Sequence, residues 1–308
     1  MSKEGKHHYI PVFYLKQWAG VDGRVCEFSK PYDRVKPRRA HPDGTAYVHG
    51  LNTISGLPPH EADFLESYFF KITDDLAAKA MKILLSGVRT FNFSPKVRDG
   101  WSRFITSLIM RNPEMVERSM LAAKAIYDQA LADLRADYDK HRKPIDPPTY
   151  EEYCALNSPN PADRGGAILL QKIIDSPDIG NCINSMRWKV LKADTPKFTL
   201  LTSDRPVVIT NGLAYEHSQL LLPISPFHLF VATNKVEMER YIEHIFARGQ
   251  AIRQVNERVA LQSRKYVYGL SDEQFNFVAA RLGKKYAASP LDETTAPMPP
   301  GYSPSNET

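Results

Sequence analysis

The hydrophobic pattern of this chain changes period twice, and those two changes bound what it can fold into. From Pro59 onward, Phe64, Leu65, Tyr68, Ile72, Leu76, Ala80, Ile83 and Leu84 recur at three- and four-residue intervals, the repeat of one helix face. Pro59-His60-Glu61 suits the start of that helix and Ser86-Gly87 its end. Ser94-Pro95 opens a second helix with Ser94 as its cap. Its stripe of Val97, Trp101, Phe104, Ile105, Leu108 and Ile109 runs to a break at Pro113. A third helix is predicted from Glu114 to about Lys140, a short one at Tyr150–Leu156 inside the proline-rich stretch 141–161, and another over Ala167–Ile183.

On either side of this helical block the runs are short and strand-sized. Near the N-terminus, Val12–Trp18 and Arg24–Phe28 flank Asp22-Gly23, which predicts a hairpin, and Asp43-Gly44 precedes Ala46–Val48. Past Met186, strands are predicted at Arg187–Leu191, Phe198–Thr202, Pro206–Thr210, Gln219–Ile224 and Leu229–Ala232. A helix over Val236–Ser263, in two parts near Gly249, then leads to a strand at Lys265–Gly269 and a helix from Ser271. Such an order predicts an α+β fold rather than βαβ alternation. The antiparallel sheet is formed by N-terminal and 186–232 strands, with a large helical middle section and C-terminal helices. The expected organisation is one α+β domain over 1–285 with a helical insertion at about 60–184, then a disordered, Pro- and Ser-rich tail at 286–308.

Composition narrows the setting. With 43% hydrophobic residues in a chain of 308, a core forms without disulfides or structural metal. Cys26, Cys154 and Cys182 make no CxxC pair, which suits the reducing cytoplasm. No stretch approaches the roughly eighteen apolar residues of a membrane span, so no membrane partner is expected. A net charge of +5 admits an anionic partner without demanding one. The densest basic cluster is Arg34, Lys36, Arg38 and Arg39; the simpler reading of such a run is a solvated face.

No Walker loop, dinucleotide fingerprint, HExxH or GxSxG motif is present, and His60-Glu61 lacks the second metalloprotease histidine. What remains is His7-His8-Tyr9-Ile10-Pro11-Val12-Phe13-Tyr14-Leu15. Adjacent histidines in an extended segment face opposite sides, so one of them at most turns to a given pocket. An imidazole there serves as general acid, general base or metal ligand, or else one ring packs while the other is solvated.

The segment His7–Trp18, reading HHYIPVFYLKQW, resembles the opening HHYVPQFYLRNF of a mainly bacterial family designated domain of unknown function 4238. Gly23–Phe28 is similar to the hairpin that follows it there. Thr202-Ser203-Asp204-Arg205-Pro206-Val207 resembles that family's TSDNPV, and Leu222–Pro226 its LPLSP. Asn256 and Lys265-Tyr266-Val267-Tyr268 resemble the closing segment. Val12 replaces the usual glutamine and Arg205 the usual asparagine. The resemblance brings no established activity, but marks His7, His8, Tyr9, Tyr14, Ser203 and Asp204 as motif positions.

If the first and last strands lie side by side, His7 or His8 meets Asp204, and the carboxylate orients the imidazole or shares a divalent metal with it. Asp204 also suits a turn that links two strands. The expected catalytic set is His7, His8 and Asp204, with Tyr9, Tyr14, Arg111, Ser203 and Arg205 binding substrate. Arg111 equally suits a helix end, and Glu61 and Glu66 do not share a helix face. Three readings fit: a phosphodiester-cleaving, nuclease-like enzyme of bacterial defence acting on nucleic acid, a non-catalytic binding or partner module, and a small-molecule hydrolase or transferase. The metal, the cofactor and the oligomeric state are left open by the residues.

Overall fold

The computed structural model describes residues 5–54, 57–87, 93–157, 159–194 and 198–284. The predicted disordered tail, 286–308, lies outside them. In chain order the elements are β1 (Lys6–His8), α1 (Val12–Leu15), β2 (Val25–Ser29), β3 (Lys36–Ala40) and β4 (Tyr47–His49). The helical middle follows: α2 (Pro59–Ala62), α3 (Lys71–Leu85), α4 (Pro95–Met110), α5 (Pro113–His141), α6 (Tyr150–Asn157), α7 (Pro161–Ile174) and α8 (Pro177–Ser185). Next come β5 (Arg187–Lys192), β6 (Thr202–Ser203), β7 (Val208–Thr210), β8 (Gln219–Ser225) and β9 (His228–Thr233). The chain continues with α9 (Val236–Ala247), α10 (Gln250–Gln262), β10 (Val267–Gly269) and α11 (Phe275–Ala279).

This is the expected α+β arrangement, and every strand pairing is antiparallel. The strands divide into a β1-β4 ribbon, a four-stranded sheet β3-β2-β10-β6, and a second four-stranded sheet β5-β9-β8-β7. N-terminal and later strands therefore meet in the first of these sheets, through β10. Two segments depart from the sequence reading. Val12–Trp18 is not a hairpin strand but the single turn of α1 followed by a 3-10 turn. The physical signal was the spacing of Tyr14 and Trp18, which puts both rings on one helical side, 5.2 Å apart and buried. The helix expected over Ala167–Ile183 is two, α7 and α8, because Pro177 opens a new helix with Ser176 as its cap.

Capping residues set the middle helices. Ser94 Oγ accepts the Val97 N–H at the start of α4, and Asn112 Oδ1 accepts that of Met115 at the start of α5. Between α2 and α3 the backbone passes through a π-helical turn at Leu65–Phe70. Helix α4 is sunk in the core, with Trp101 and Phe104 fully buried and Trp101 edge-on to Phe230 of β9 at 5.6 Å. Each such side chain contributes about 1.5–3 kcal/mol by leaving water. Helix α5 crosses α7 so closely that a Cβ on Gly166 would stand 2.9 Å from Met120 Cα, which only glycine permits. Among the described residues no helix is long and apolar enough to cross a membrane.

The basic cluster lies on and before β3, an edge strand. Arg38 faces Glu27 across the β2–β3 ladder and donates to both its carboxylate oxygens, at 2.6 and 3.1 Å. Arg39 pairs with Asp22. Two of the four charges are thus taken up within the sheet.

Candidate functional site

The histidine motif starts in β1, which among the described residues pairs with β4 alone: His7 lies opposite Val48 and His8 opposite Tyr47. Alternation then sends the two rings to different places, as expected for an extended segment. His7 is buried, and its Nδ1 accepts the backbone N–H of Asn52 at 3.0 Å. Its Nε2 therefore carries the proton, 3.7 Å from Asp63 Oδ1. Asn52 Nδ2 in turn donates to Glu66 at 3.1 Å, and burial pushes the Glu66 carboxyl upward against the pull of His7 and Arg111. Among the described residues, no group of three or more His, Cys, Asp and Glu side chains has the spacing to hold a metal.

His8 is half-buried at the ribbon. Its Nε2–H donates to the Asp43 carbonyl at 3.2 Å, and its ring lies 5.5 Å from that of Tyr47. Burial lowers its pKa below the ordinary histidine value, so the ring is neutral near pH 7.

Asp204 is occupied elsewhere. It sits in the turn after β6, 4% exposed. One oxygen accepts the Arg264 N–H at 2.9 Å, and the other those of Lys265 and Tyr266 at 2.5 and 3.1 Å. Its own N–H donates to the Tyr266 carbonyl at 3.0 Å. Burial pushes the carboxyl up to about 6, against those donors. The expected His–Asp204 contact is not formed, because β1 pairs with β4 and not with β6 or β10. The carboxylate instead fixes the loop between α10 and β10, the turn role that the sequence also allowed.

Other expected binding residues are structural ties. Tyr14 is fully buried; its hydroxyl donates to the Pro223 carbonyl at 2.6 Å and lies 2.8 Å from Thr202 Oγ1. Ser203 is fully buried and its Oγ accepts the Arg205 N–H at 3.1 Å. Arg111, 1% exposed, donates to the Tyr9 carbonyl at 3.0 Å and to Asp74 at 2.9 Å. Its backbone is the C-cap of α4, the helix-end role that the sequence also allowed, with its N–H on the Ser107 carbonyl at 2.9 Å, while its buried guanidinium clamps the histidine segment to α3. Asn256, from the closing motif, accepts the Leu201 N–H and donates to the Thr199 carbonyl, both at 2.8 Å.

Where the motifs do meet is a cavity of about 190 Å³ lined by Tyr9, Asn112, Pro113, Glu114, Asp204, Arg205, Arg264 and Lys265. Tyr9 comes from the histidine motif, Asp204-Arg205 from the segment similar to TSDNPV, and Lys265, with Arg264 just before it, from the closing segment. Tyr9 keeps its phenolic proton, since burial and the Asp204 charge hold its pKa well above the ordinary tyrosine value. The opening turn of α5 supplies Asn112, Pro113 and Glu114, so the positive end of a long helix dipole faces the cavity. Glu114 bridges Arg205 and Arg264, one carboxylate oxygen to each.

Of the expected site residues, the structure brings together Tyr9, Asp204 and Arg205, and leaves His7, His8, Tyr14, Arg111 and Ser203 outside the lining. Asn112, Glu114, Arg264 and Lys265 were not foreseen as site residues. Lys265 stood within a motif segment, whereas Glu114 read only as first-turn helix chemistry. No curated protein and no solved structure matches this chain. A family model matches residues 6–273, and the chain belongs to that family, described as protein of unknown function DUF4238.

Proposed function

We propose that this protein binds a phosphate-bearing ligand in the cavity between Tyr9, the α5 N-terminus and the Arg205 and Arg264 side chains. The observation that carries the reading is Glu114, whose carboxylate rests between the two guanidinium groups where a ligand anion would rest. Guanidinium groups bind oxyanions in this planar, forked manner. The helix dipole, the Lys265 ammonium and the Tyr9 hydroxyl add positive potential and one more donor. Serine, cysteine and histidine are absent from the lining, and Asp204 is committed to backbone donors, so binding is favoured over hydrolysis.

The test is calorimetric titration of the full chain with inorganic phosphate and with a 5′-phosphorylated dinucleotide. Saturable binding is expected, weakened about tenfold by Arg264→Gln and strengthened by Glu114→Gln, which removes the internal competitor. If phosphate binds equally to both variants and wild type, the cavity is not its site.

A second reading extends the first to phosphodiester cleavage of a nucleic acid in a bacterial cytoplasm. Its support is His8, a neutral imidazole whose Nδ1 has no hydrogen-bond partner among the described residues, one residue from Tyr9. Incubation with RNA and DNA, with and without divalent metals, is expected to show cleavage by wild type and none by His8→Ala. Equal inertness of both on every substrate removes this extension and leaves the binding reading intact.

A further inference from the structure

A second cavity, of about 300 Å³, lies against the other four-stranded sheet, at the β7–β8 edge. Its floor is set by register: Val208 pairs with Leu221, and Thr210 with Gln219, so all four side chains rise from one face. Its walls come from α9, through Ile242 and Ile245, and from α10, through Val255 and Arg258. Gly249 adopts φ +71° between these helices. From there α9 packs over β5 and β9 whereas α10 packs over β6 and β7, and the space between them is the cavity.

The lining is largely apolar, with Gln254, Glu257 and Arg258 on its α10 side and polar groups in its floor that lack good partners among the described residues. Thr210 is 4% exposed, and its Oγ1 is a buried hydroxyl with no hydrogen bond among the described residues. Gln219 Nε2 donates to the thioether of Met238, a weak acceptor. Arg258 is half-buried and has no ion pair among the described residues, while its neighbour Glu257 is engaged by Arg281. Buried polar groups are ordinarily paired, so a floor residue with a lone hydroxyl and a wall guanidinium without an ion pair, around a space of ligand size, point to a partner that occupies it.

We propose that this cavity is a binding site for a small apolar carboxylate, its chain or ring between the sheet and the two helices, its carboxylate on Arg258 and Thr210. A guanidinium selects a carboxylate over a neutral head group, and the apolar walls exclude a strongly hydrated anion such as free phosphate. The volume lies at the small end of ligand pockets, which suits a short aliphatic or aromatic acid rather than a long lipid. This site is independent of the anion cavity at Tyr9.

The test is titration of the full chain with octanoate and benzoate, read by calorimetry and by melting temperature, with 1-octanol as the uncharged control. At least one of the two acids is expected to bind saturably at a single site and to raise the melting temperature; 1-octanol binds at least about tenfold more weakly. Arg258→Gln is expected to weaken the acid about tenfold, whereas Arg34→Gln, an exposed charge before β3, leaves it unchanged. Thr210→Val is isosteric and gives opposite signs: a higher melting temperature without ligand, and weaker acid binding. The site is overturned if neither acid binds saturably, if Arg258→Gln binds as wild type does, or if Arg34→Gln loses as much affinity as Arg258→Gln.

Discussion

The two four-stranded sheets of this protein are held by different means. In β5-β9-β8-β7 the central strand β8 is buried at every position and β9 at all but its first, and the packing is largely apolar. In β3-β2-β10-β6 one face packs an apolar cluster with Phe28 and Val267, but the sheet also buries charged and polar groups. Glu27 is fully buried among Arg38, Thr45 and, through Thr45, the hydroxyl of Tyr268, while Asp204 gathers three backbone donors next to β10. Apolar burial is non-directional and tolerates a void or an unpaired hydroxyl at its margin. Buried hydrogen bonds fix positions to within tenths of an ångström and penalise any lost partner. The turns beside β6 and β10 accordingly hold Asp204, Arg205, Arg264 and Lys265 in the lining of the cavity at Tyr9, and the apolar sheet borders the looser one.

The sharpest attack on this contrast is Asp204→Ala, which takes the buried acceptor from three backbone N–H donors at once. A loss of about 4 kcal/mol is expected in urea unfolding, together with loss of phosphate binding as the 264–266 loop is released. A loss below about 1 kcal/mol would show that the loop is held by other means.

The same carboxyl gives the contrast a pH signature. Its pKa rises from 3.8 to about 6 on folding, so between those values the folded state holds the proton more tightly than the unfolded state. Its stabilising contribution is therefore fully present below the lower value and is lost as pH rises through the upper one. The stability margin of wild type over Asp204→Asn is expected to shrink from about pH 4 to about pH 7 by up to roughly 3 kcal/mol. A flat margin would mean that the backbone donors fully compensate the burial of the charge.

Tyr14→Phe probes a tie from α1 to β6 and β8, and removes a hydroxyl that contacts Pro223 and Thr202. Thermal or chemical unfolding is expected to show a loss of about 2 kcal/mol. The smallest effect has the opposite sign and belongs to the apolar sheet: Thr210→Val is expected to stabilise the unliganded protein by about 1 kcal/mol. If both substitutions destabilise alike, the two sheets do not differ in the way described.

The distribution of legible features follows from the range of the interactions behind them. Ser94 announces its helix because a cap bonds an amide three residues away. The split of 236–263 at Gly249 is likewise local, since that residue adopts a left-handed conformation between two helices. The seven residues around Tyr14 and Trp18 are too few to carry a clear period, and the helical turn is settled by burial against Phe104 and Leu200.

The site lies at the other extreme. Tyr9, Glu114, Arg205 and Arg264 come from four separate stretches of chain, and no pattern within any one of them states that they meet. The two adjacent histidines were singled out by residue type, but the partner of each is chosen by the β1–β4 ribbon, which turns one ring to Asn52 and the other to Asp43.

By itself, then, the sequence determined the class of fold, the start of the middle helices and the segments that carry its motifs, because caps, turns and periodicity act over a few residues. Only the tertiary structure decided that Asp204 holds a loop instead of a histidine, that Arg111 is a clamp, and that Glu114 rests between two arginines. Those outcomes depend on which strands pair and which helix ends converge, and that is fixed by long-range packing rather than by neighbours along the chain.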